Sequence, residues 1–179
     1  MTALIALHSR FARFCDSQAD WLLPTLARLV FAGVLLGYFW SSALTKFAGP
    51  FTPSVGAYAQ IFPRAFDAVG YDPSQLGLWH WAVVMAGAYA ELILPALIVL
   101  GLLTRLAALG MAGFVVVQSL TDIFGHSAAA GAWFDRASDA LILDQRALWL
   151  LLLIVLICKG PGPISADRFL GVERTRLAA

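Results

Sequence analysis

Of 179 residues, 60% are hydrophobic and only 13% are charged, with a formal net charge of +1. A soluble domain carries roughly 25% charged residues, so the composition excludes a water-solvated globule and places one domain, residues 1–179, in a lipid bilayer. The near-zero net charge gives no basic field for nucleic acid.

The opening, MTALIALHSRFARFCDSQAD, has no continuous apolar h-region and no A-x-A cleavage site. Residues 1–20 therefore read as a retained cytosolic lead-in. Cys15 and Cys158 stand alone, without C-x-x-C or metal spacing, and are expected to be reduced thiols near the cytosolic side.

A bilayer-crossing helix needs about 20 mostly apolar residues. The first candidate covers residues 27–47, with Arg28 and Lys46 near its ends, both able to extend toward water. Inside it, Gly33, Gly37 and Ser41 form a small-x-x-x-small row that permits close helix approach, either within the chain or between two copies.

The long connection 48–78 is patterned. Thr52-Pro53 signals a helix start, and Val55, Tyr58, Phe62, Ala65 and Val69 recur near helical spacing. Pro63 is expected to break this stretch into two short pieces lying along the interface. A second span follows at 79–100 and a third at 102–124, close enough to form a tight hairpin. The fourth, 140–159, keeps Asp144, Gln145 and Arg146 near the outer interface. The expected fold is all-α: an integral membrane four-helix bundle with short interfacial helices in its first outer loop.

Eight of the twelve Lys and Arg residues fall on the side of the two termini. Cytoplasmic ends collect positive charge, so both termini, with residues 160–179, are expected on the cytoplasmic face of a bacterial inner membrane.

Glu91 stands in an otherwise apolar span, on one helical stripe with His80, Val84 and Gly87. Pro95 has no N–H for the Glu91 carbonyl, which leaves an acceptor-rich spot needing a cation or a proton. Arg28 is the first-choice partner and Arg105 the second. The pair either pins two helices together or holds a protonatable group beside a ligand.

A second polar level gathers Gln118, Asp122 and His126 on the third span with Lys46, His80, Asp144 and Arg146, among tryptophans that include Trp81. Interfacial anchoring accounts for such residues. A metal site from His80, Asp122 and His126 is a further alternative. So is a pocket for a quinone-like head group, with His80 and Glu91 as proton-handling residues and Arg28, Lys46, Gln118, Asp122, His126 and Trp81 as ligand contacts. No haem-attachment, iron–sulfur, flavin or metal motif is present in the sequence.

The Arg-led first span ending in ALTKF, the stretch AELILPALIVLGLLTRLAAL and the stretch KGPGPISADRFLG resemble the DoxX-like family of small bacterial membrane proteins, over Leu26 to Val172. The TDIFGH and DRASDALILDQRALWLLLLIVL segments are similar to its proteobacterial branch. The resemblance implies a four-helix inner-membrane protein, a link to quinone-dependent oxidation, and soluble redox or detoxification partners. It directs attention to Arg28, Lys46, Glu91, Arg105 and Asp167-Arg168. Three functions follow as expectations: a membrane subunit of a quinone-linked redox system with a protein partner or a homo-oligomer, a non-catalytic anchor or assembly factor with ISADRFLGVERTRLAA as docking tail, and a small-solute carrier.

Overall fold

The computed structural model describes residues 2–172, so the Glu173–Ala179 end of the tail lies outside the described residues. Helix α1 (Thr2–Phe31) passes through a π turn (Ala32–Leu36) into α2 (Gly37–Thr45). A two-stranded hairpin, β1 (Phe47–Gly49) with β2 (Thr52–Pro53), leads to α3 (Val55–Ile61) and α4 (Pro63–Ala68). Then come α5 (Leu78–Leu100), α6 (Thr104–Leu120) with a second π turn (Thr121–Gly125), α7 (Leu143–Lys159) and α8 (Ala166–Phe169).

The expected all-α membrane bundle is what the chain forms. Among the described residues, three helical stretches are long and apolar enough to cross a membrane: Ala3–Thr45, Leu78–Leu100 and Thr104–Gly125. The fourth, α7, has 17 residues, about 25 Å by the helical rise. It lies against α6 and α1, while α2 packs on α5. Phe31 of α1, Leu35 of the π turn and Phe39 of α2 meet Ile98, Met111, Val115, Leu153 and Leu156 in the core.

Several boundaries differ from expectation. The lead-in of residues 1–20 is helical from Thr2 and continuous with the first span, because neither glycine nor proline interrupts it before Pro24. The Thr52-Pro53 signal belongs to β2. Helix α3 starts two residues later, where the Ser54 hydroxyl accepts from the Ala57 N–H at 3.1 Å. Pro63 divides the connection as expected, and it opens α4 at a position where its missing N–H costs nothing. Beneath these two helices, Tyr58 and Phe66 pack with Val84 of α5. Gly33 and Gly37 meet no neighbouring helix, since a Cβ on either would find nothing within 4 Å.

The α5–α6 hairpin closes through Gly101 at φ +70° and Leu103 at φ +48°. Its cap comes from far along the chain. The Asp167 carboxylate accepts from Leu103 N at 2.6 Å, from Thr104 N at 2.9 Å and from the Thr104 hydroxyl at 2.9 Å. Arg28 lies at this end: its guanidinium donates to the carbonyls of Ile98 (3.0 Å), Val99 (2.5 Å), Pro161 (3.0 Å) and Ile164. Arg105 donates to the carbonyls of Ile157 and Cys158. Cys15 and Cys158 are free thiols.

Candidate functional site: a polar cavity at the Lys46 end

Glu91 is buried, with 3% exposure, and its partner is Lys46, equally buried. The Lys46 ammonium lies 2.7 Å from Glu91 Oε2 and 2.6 Å from the Ser42 hydroxyl. This corrects the expected pairing with Arg28 or Arg105. The helix register explains the difference. Arg28 bonds the carbonyls of Ile98 and Val99, whereas Trp40 Nε1 bonds that of Leu92 at 3.0 Å. Trp40 is twelve residues from Arg28, about 18 Å by the helical rise, so Glu91 sits beyond arginine reach. Lys46, just past the end of α2, folds its stem back along the helix toward Ser42.

Three contacts fix the hairpin that follows Lys46. The Tyr89 hydroxyl donates to the Pro50 carbonyl at 2.6 Å, Trp81 Nε1 donates to that of Phe51 at 3.1 Å, and Ser54 N donates to that of Lys46 at 2.8 Å. Trp81 thus holds the loop and does not face the cavity.

A cavity of about 600 Å³ opens beside this pair, between α2, α3, α5, α6 and α7. Across it lies a second buried cation. Arg146 (5% exposed) reaches Asp122 Oδ2 at 2.5 Å and the Ser119 hydroxyl at 3.2 Å, with its plane near the Trp149 ring. Its Nε–H has no partner. Gln118 donates from Nε2 to the Tyr38 hydroxyl at 3.1 Å, and its Oε1 is also buried without a partner. Gly87, Gly110 and Gly113 make the apolar wall, and a Cβ on Gly113 would meet nothing within 4 Å.

Of the polar residues singled out in the sequence, the cavity wall brings together Lys46, Glu91, Gln118, Asp122, His126 and Arg146. His126 lines the same cavity wall as Gln118 and Asp122. It caps the π turn, and its Nε2 lies 2.9 Å from the Gln60 carbonyl on α3. Arg28 is at the opposite end. His80 stays outside the wall, its ring edge-on to Phe62 and its buried Nδ1 unpartnered. His80, Asp122 and His126 do not assemble as metal ligands: among the described residues no three of His, Cys, Asp and Glu come together.

Tyr38 and Ser42 were not anticipated, although the spacing held a signal. Tyr38, Ser42 and Lys46 recur every four residues, a polar row in an apolar span. Gln60 and Ser119 carried no comparable signal.

A model of the DoxX family matches residues 23–122, more than half the chain. That range includes Lys46, Glu91, Gln118 and Asp122 and stops short of Arg146. No curated protein and no solved structure matches the chain.

Proposed function

This chain belongs to the DoxX family, and we propose that it is the membrane subunit of a quinone-linked redox system, working with a protein partner. One observation carries the reading: a cavity in the membrane-spanning part whose polar end holds an unpaired buried donor, Arg146 Nε–H, and an unpaired buried acceptor, Gln118 Oε1. Buried polar groups are rarely left unpaired. A quinol head group satisfies both, one hydroxyl oxygen accepting from the Arg146 Nε–H and the other hydroxyl donating to Gln118 Oε1, and the glycine-lined wall accepts an apolar ring or tail.

Such a ligand would be held by Arg146, Gln118 and Tyr38. When bound it supplies two-electron, two-proton redox chemistry, with electrons exchanged through the partner. Lys46 Nζ, bonded to Glu91 Oε2 and the Ser42 hydroxyl, is the group placed to hold a proton beside it. The excess of Lys and Arg on the side of the termini supports an orientation with both ends in the cytoplasm of a bacterial inner membrane.

A second reading, as a non-catalytic anchor, draws support from the Arg28 and Asp167 contacts. These fix the segment between Lys159 and Phe169 as a rigid platform for docking.

The deciding experiment is purification in mild detergent, followed by organic extraction and mass spectrometry of the wild type and Gly113→Leu. The leucine fills open space in the cavity, so the variant is expected to fold and to lose co-purifying quinone. Quinone retained equally by both proteins, or absent from the wild type, rejects the redox reading.

A further inference from the structure

From Ala3 to Leu23 no residue of α1 is buried. The helical stretch Ala3–Thr45 has 43 residues, about 65 Å by the helical rise, against a hydrocarbon thickness of roughly 30 Å. The core contacts begin at Ala27 and Phe31, so the Pro24–Thr45 part is the span and the first half extends past it.

That first half is two-faced. At 100° per residue, Leu4, Leu7, Phe11, Phe14 and Leu22 fall within a sector of about 80°. Leu4, Leu7, Phe11 and Phe14 are 74%, 66%, 65% and 63% exposed. Arg10 and Ser17 flank this sector, and Arg13, Asp16 and Asp20 lie on the far side, which Ile5 and Leu23 share. The apolar sector continues without a turn of direction into Leu26 and Leu29, which are exposed on the span and face away from the core residues Ala27 and Phe31. The stripe is thus an extension of the lipid-contacting surface.

Pro24 stands at the junction, on the buried side of the helix. It cannot bond the Asp20 carbonyl, and its ring presses on that carbonyl, so a bend there opens the inner side and tips the N-terminal segment away from the bundle. A helix that tips outward turns its outer face down onto the bilayer. The Asp20–Lys159 ion pair at 2.8 Å ties the chain to α7 at this level.

We propose that Thr2–Leu23 is an interfacial anchor that lies along the membrane surface, with Leu4, Leu7, Phe11 and Phe14 sunk into the headgroup–acyl boundary and Arg10 and Arg13 facing water. This arrangement matches interfacial helices, which bury an aromatic and aliphatic face beneath a charged one. A second copy is the poorer occupant, because about two and a half heptads interrupted by Gln18 fall short of the three to four that sustain a coiled coil.

Cys15 lies at the edge of the stripe and is a free, exposed thiol, which allows a direct test in proteoliposomes of the full chain. A nitroxide is placed on Cys15 in Cys158→Ala, and on the side of the helix away from Cys15 in Cys15→Ala/Ser17→Cys/Cys158→Ala. Oxygen should relax the label at 15 more than a water-soluble nickel chelate does, with the order reversed at 17. Chelate access at both positions overturns the proposal, because the helix then projects into water. Dipolar broadening at 15 that vanishes on dilution with unlabelled protein also overturns it, because a second copy then covers the stripe.

Discussion

The Lys46 ammonium lies 2.7 Å from the Glu91 carboxylate, both side chains 4% exposed, and so joins the end of α2 to the middle of α5. Removing one partner leaves a buried charge without its counter-ion, which costs about 3–5 kcal/mol. Glu91→Leu and Lys46→Met should each unfold in detergent well below the wild type. The double variant Lys46→Met/Glu91→Leu should recover most of that loss, since an apolar pair replaces an ionic one. A double variant no more stable than either single would show that the pair is not the relevant contact.

Asp167 caps α6 with three accepted hydrogen bonds from a segment more than sixty residues away. Asp167→Ala should lose about 2 kcal/mol, the upper range for a helix N-cap. The chain after Lys159 should become sensitive to added protease at the same time. Unchanged melting together with unchanged proteolysis would contradict the assignment.

Two glycines make opposite predictions. At Gly101, φ is +70° and a Cβ would come within 2.6 Å of the Ser165 Cβ, so Gly101→Ala should destabilise by more than 1 kcal/mol. Gly37 has φ −62° and nothing within 4 Å of a Cβ. Gly37→Ala should therefore raise the melting temperature, by up to about 1 kcal/mol of helix propensity. Thermal scans of both variants check the contrast, and a shift of the same sign for both would break it.

In the connection before α5, Asp72 accepts from the Ser74 N–H at 2.9 Å and from its hydroxyl at 2.8 Å. These bonds hold its carboxyl below the ordinary aspartate range. A depressed carboxyl stabilises the turn above its unfolded value of about 3.9, and the contribution fades as pH falls through the lower folded value. NMR titration should place Asp72 below that reference, and Ser74→Ala should move it upward. A wild-type midpoint at or above the reference would refute the hydrogen-bonded turn.

Spans, hairpin and the Pro63 break were legible because each rests on short-range signals: hydropathy, glycine and proline. The need of Glu91 for a cation was legible for the same reason. Its identity was not, because that depends on the register of α2 against α5, which Trp40 and Leu92 set through a contact between helices. The π turns at Ala32–Leu36 and Thr121–Gly125 were equally hidden. An extra residue in a turn leaves no mark in composition, and the contact of His126 with Gln60 depends on how α3 packs over that turn. Arg146 was visible only as a charge near an interface. Its place across the cavity from Lys46 follows from how α7 seats on α6.

The Asp167 cap has a bearing on the order of assembly. Membrane chains are threaded from the N-terminus, so α5 and α6 enter the bilayer long before residue 167 emerges. Until then the α6 start lacks its carboxylate, and Arg28 lacks the Pro161 and Ile164 carbonyls. The hairpin is therefore locked only after a segment more than sixty residues downstream has been made. A chain that stalls between Lys159 and Asp167 carries α5, α6 and α7 without the latch.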